Sequence, residues 1–87
     1  MQPTYQITLE DALDHGVIVW EGASREDGEK QLAAYKAEGP SGYDLMVILE
    51  EITYDEDGEI DDYLFIDEVV WFTDESWNAA HPSGFPD

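Results

Sequence analysis

From Ala37 to Asp87 the chain carries 15 Asp and Glu residues and not one Lys or Arg. Internal ion pairs within such a segment cannot neutralise its carboxylates. It must stay unfolded, fold with like charges held apart, or meet an outside cation. Over all 87 residues, 22 acids stand against three bases, Arg25, Lys30 and Lys36, for a net charge of −19. Disordered acidic chains lack the large apolar side chains needed to offset chain entropy. Here 43% of residues are hydrophobic, with three Trp, five Tyr and three Phe, so the charge decorates a fold.

The sign and composition exclude several classes of function. Direct binding of nucleic acid or of an anionic membrane is disfavoured by like charge. With no Cys there is no disulfide framework, thiolate metal site or cysteine nucleophile. The start, MQPTYQITLED, has neither a basic nor an apolar signal-peptide region, and the longest apolar run, Leu45 to Leu49, is too short for a membrane span. A single acidic domain over residues 1–87, cytoplasmic and without a cofactor, is the expectation.

The local patterns predict an α+β fold. Tyr5–Ile7 reads as a short strand, and Thr8 with Asp11 as a capping pair opening a short N-terminal helix that Gly16 would end. Val17–Trp20 reads as a second strand. Ser24 caps a main helix running to about Glu38 and stopping at Gly39–Pro40, with Glu26 and Lys30 spaced as an i,i+4 pair. Tyr43–Tyr54 is the strongest strand, apolar on both faces at its centre. Asp55–Gly58 predicts a turn, Glu59–Ile66 its returning partner, and Asp67–Glu68 a bulge or bend before a further strand, Val69–Phe72. From about residue 73 the tail reads as irregular. Together these predict an antiparallel sheet of about four strands with the main helix packed on one face.

Most of the acids gather on the predicted hairpin. Asp55, Asp57, Glu59 and Asp61 alternate, and alternate residues of an extended strand point the same way at about 6.7 Å spacing. Successive phosphates of a nucleic-acid strand lie roughly 6 to 7 Å apart. With Glu50, Glu51, Glu56, Asp62, Asp67 and Glu68, these residues offer a row of negative charge to a phosphate-reading cleft. Trp77, with Phe85, fits either a partner-facing aromatic anchor or a core cap. Trp20 and Trp71 fit the core.

The segment Tyr54-Asp55-Glu56-Asp57-Gly58-Glu59-Ile60-Asp61-Asp62, with the size, charge and absent Cys, resembles the small acidic DNA-mimic proteins of phages and mobile elements, including anti-restriction and anti-CRISPR proteins. The resemblance implies occupation of a DNA- or RNA-binding groove on a basic enzyme. The chain is similar in size and sign to immunity proteins that neutralise basic nuclease toxins, and a non-inhibitory module of a salt-adapted organism fits the composition as well. The expected partner is a basic nucleic-acid-binding protein or nuclease, and a homodimer remains open.

Neither a metal site nor catalysis is expected. Aligning Gly58 with the invariant glycine of an EF-hand loop puts Thr53 at the first ligand position and Leu64 at the twelfth, so both ends lack carboxylates. His15 reads as a helix C-terminal residue favoured by the dipole, and His81 sits in a tail without a scaffold to hold catalytic geometry.

Overall fold

Tyr5, Ile7 and Leu9 alternate with Gln6, Thr8 and Glu10, a two-residue period that a strand sorts onto two faces and a helix does not. In the computed structural model, which describes residues 2–82, this segment is one long strand, β1 (Thr4–Asp11). The expected N-terminal helix is therefore absent, and the correction has a plain cause. Thr8 is paired on both sides, with Ile18 of β2 (Gly16–Gly22) and Ile48 of β3 (Asp44–Tyr54). Two ladders outweigh one local capping pattern. Asp11 shapes the β1–β2 turn instead: its Oδ1 accepts from the N–H groups of Leu13 and His15, both at 3.0 Å. His15 thus lies in an exposed turn, 3.7 Å from the Asp11 carboxylate, and not at a helix end.

The main helix forms as its end signals predict. α1 (Arg25–Glu38) starts at Ser24, whose Oγ accepts from the Asp27 N–H at 3.3 Å, and ends at Gly39, whose φ of 83° suits glycine. β4 (Ile60–Val70) then pairs with β3 as one continuous strand, replacing the two strands expected on either side of Asp67–Glu68. The irregularities are bulges at Ile66, beside the expected Asp67–Glu68, and at Asp61, each an extra residue that resets which side chains face which way.

The four strands form one antiparallel sheet in the order β2-β1-β3-β4. β2 and β3 flank β1 and run parallel to each other, with α1 as the crossover between them. α1 packs on the face carrying Tyr5, Ile7, Leu9, Leu45, Val47 and Leu49. Ile7, Val47 and Leu49 are 0% exposed and Leu32 of α1 is 4%, and these form the centre of the core, with Trp20 and Trp71 packed around it. Burying each such side chain stabilises the fold by about 2 kcal/mol relative to leaving it in water.

Residues 74–80, expected as irregular chain, form a further helix, α2 (Asp74–Ala80). Its start is a reciprocal cap. Thr73 Oγ1 accepts from the Ser76 N–H at 3.1 Å, and Ser76 Oγ accepts from the Thr73 N–H at 2.8 Å. Trp77 closes this end of the molecule, 1% exposed and stacked on His81 with ring centroids 3.9 Å apart. Among the described residues no helix is long and apolar enough to cross a membrane.

Candidate functional site

The β3–β4 hairpin gathers most of the acids singled out in the sequence, and its shape follows from its turn. Asp55 Oδ1 accepts from the N–H groups of Asp57 at 2.9 Å and Glu59 at 3.0 Å, while the Asp55 N–H donates to the Glu59 carbonyl at 2.8 Å. Gly58, at φ 82°, supplies the left-handed residue that closes the loop. The backbone from Asp55 to Glu59 is therefore a tight turn, and β4 begins only at Ile60. Asp55, Asp57, Glu59 and Asp61 do not form the evenly spaced extended row expected of them. They cluster around the tip, Asp61 sits at a bulge, and the Asp55 carboxylate is engaged in holding the turn.

The other acids fall at defined places. Glu50 and Glu51 point to opposite faces of β3, as strand geometry requires. Glu51, on the α1 side, accepts a hydrogen bond from the Tyr5 hydroxyl at 3.0 Å. Asp62 and Asp67 each take the N–H of the following residue at 2.8 Å, and both project from the exposed strand β4 with Glu68. Asp67 and Glu68 line a groove beside α1 with Glu29, Leu32 and Lys36. Glu56, Asp57 and Glu59 are exposed at the tip. Trp77 belongs to the core, so its ring is not available as a partner-facing anchor. Phe85, considered with it, lies outside the described residues.

Of the three cations, Lys36 lines the groove beside Asp67 and Glu68, and the other two are held within α1. Arg25 pairs with Glu29 at 3.2 Å and Lys30 with Glu26 at 3.5 Å, both within α1 and both solvent-exposed. Among the described residues no carboxylate after Ala37 forms an ion pair with Lys or Arg. Nor do any three carboxylates or imidazoles among them converge closely enough to hold a metal ion.

The hairpin also presents an apolar surface that sequence reading missed. At about 3.3 Å per residue an eleven-residue strand spans roughly 36 Å, whereas fourteen residues of helix span about 21 Å. α1 lies beside Asp67–Val70 and leaves the first half of β4 bare on its side of the sheet. Ile60, Tyr63, Leu64 and Phe65 are 51%, 49%, 45% and 62% exposed. Opposite α1, no described helix covers the sheet, and Ile18, Tyr63, Phe65 and Val70 stand out from that face. The available signal was the run Tyr63-Leu64-Phe65-Ile66, too apolar for a strand with one solvated face.

Compared with protein-family models, curated proteins and solved structures, the chain matches none.

Proposed function

We propose that this chain is an acidic inhibitory binding protein, which occupies a basic nucleic-acid-binding site on a target protein and so keeps nucleic acid out. One observation carries the reading: among the described residues the carboxylates of the β3–β4 hairpin and outer strand form no ion pair with Lys or Arg, and the two such pairs lie on α1. Maintaining that imbalance costs stability through self-repulsion, and a cationic partner turns the same field into attraction. The support is charge density about a projecting hairpin rather than a row matched to phosphate spacing. Association is steered by charge and weakens with salt, because exposed charges are screened over about 8–10 Å.

The test is association of the chain with basic nucleic-acid-binding proteins captured from a lysate, with DNA or RNA as competitor. A variant carrying Asp55→Asn, Asp57→Asn, Glu59→Gln and Asp61→Asn should associate about tenfold more slowly at low salt and respond less to added salt, with its fold intact. Any one of these substitutions alone should change binding by less than about 1 kcal/mol. Unchanged association of the fourfold variant, or simultaneous binding of nucleic acid and this chain to one target, rules the reading out.

A further inference from the structure

β4 ends the sheet, so its outer N–H and C=O groups have no strand beside them among the described residues. Edges of this kind are usually blunted by short length, Pro, charged side chains or bulges, and here the bulges at Asp61 and Ile66 and the flanking acids bracket the stretch Tyr63–Phe65 without interrupting it. β4 is 11 residues long and contains neither Lys nor Pro. Tyr63, Leu64 and Phe65 are consecutive and therefore face alternate sides, and all three are about half exposed or more. Both faces of the strand are thus apolar and bare at one point, next to a sheet edge on which only the Tyr63 and Glu68 N–H groups are engaged by side chains, those of Asp62 and Asp67, among the described residues. Asp61 and Asp62 stand at one end of this stretch, and Asp67 and Glu68 at the other.

We propose that β4 receives an extended segment of a basic partner protein as a fifth strand. Apolar side chains of that segment would cover Tyr63, Leu64 and Phe65, and Lys or Arg at its two ends would meet the two acidic pairs. The acidic pairs argue against a second copy of this chain as occupant. In an antiparallel self-pairing centred on Leu64 or Phe65, Asp61 or Asp62 of each copy lies opposite Asp67 or Glu68 of the other. In a parallel in-register pairing every acid meets its own copy. Like charges directly opposite one another destabilise a sheet, and here each copy brings a net charge of −19. A cationic strand makes each of those pairs attractive, and main-chain hydrogen bonds along the edge add affinity that charge steering alone does not supply. The proposal rests on the functional reading above only for the sign of the partner.

The experiment uses the full chain and two synthetic peptides of alternating Val and Thr, one with Lys pairs at its ends and one with Glu pairs. The readout is amide hydrogen exchange along β4. The Lys-flanked peptide should slow exchange of the β4 amides that face away from β3 by about tenfold, and the Glu-flanked peptide should not. The variant Asp61→Lys with Glu68→Lys leaves each acidic pair net neutral and should abolish that preference. Equal response of the unsubstituted chain to both peptides, or to neither, overturns the proposal, and so does a preference that the variant keeps in full. So does protection that appears without peptide and grows with protein concentration, since the occupant is then a second copy. Lys-peptide binding confined to the turn at Asp55–Glu59 overturns strand pairing and leaves the electrostatic reading standing. Protection of β4 together with unchanged target association by the fourfold neutralised variant does the reverse.

Discussion

Tyr5 and Glu51 sit directly opposite each other on β1 and β3, and the Tyr5 hydroxyl donates to Glu51 Oε1 at 3.0 Å. This hydrogen bond raises the phenol above its ordinary value near 10, because ionisation breaks it. Partial burial and the adjacent negative charge push the same way, and Arg25 pulls weakly back. A raised folded-state value means that this contribution to stability is fully present below about pH 10 and is lost as pH rises through the folded value. Glu51→Ala should therefore lower the Tyr5 titration midpoint, followed by tyrosinate absorbance against a Tyr5→Phe reference. An unchanged midpoint would show that the pair is not coupled.

Gly28 gives α1 its close seat on the sheet. A Cβ at this position would lie 2.9 Å from Leu49 Cδ1 and 3.1 Å from the Trp20 ring. Alanine improves helix propensity by up to about 1 kcal/mol. Overpacking against a fully buried Leu49 costs typically ~1–3 kcal/mol, and this is the larger effect. Gly28→Ala should lower stability by about 1 kcal/mol, read as a drop of roughly 4–8 °C in Tm. A rise in Tm would mean that Leu49 and Trp20 move aside freely.

Asp55 differs from its acidic neighbours because its carboxylate accepts two backbone N–H groups in the turn. Asp55→Ala should destabilise the chain by about 1 kcal/mol and speed amide exchange at Asp57 and Glu59, despite removing a charge. Asp55→Asn keeps an accepting oxygen and should cost less. Glu56→Gln, at an exposed site, should be neutral or slightly stabilising through relieved repulsion. If all three behave alike in urea unfolding, the hydrogen bonds of Asp55 are immaterial to the turn.

Elements whose ends are fixed by local chemistry were legible in the sequence. Ser24 and Gly39 bound α1, and the glycine at Gly58 marks the hairpin turn. Segments decided by non-local pairing were not. Thr8 and Asp11 match a helix start, and only the presence of strands on both sides of β1 makes that segment extended. α2 escaped notice because Ser76, rather than Glu or Gln, completes the Thr73 cap, and because its buried contact is concentrated in Trp77. The bulges at Asp61 and Ile66 decide which acids share a face; the second lies beside the irregularity expected at Asp67–Glu68, and no periodicity in the sequence announces the first. Charge at the candidate site was readable from composition. Its arrangement depended on the Asp55 turn, and the bare apolar stretch on how far the hairpin outruns α1.

The placement of β1 between β2 and β3 also sets the order in which the chain can assemble as it leaves the ribosome. β1 is made first, yet one of its two edges has no partner until the whole of α1 and then β3 have been synthesised. A nascent chain ending at Gly39 holds a hairpin and a helix but lacks Val47 and Leu49, half of the fully buried centre. Completion of the core therefore waits for β3, and the acidic second half of this sequence delivers that strand.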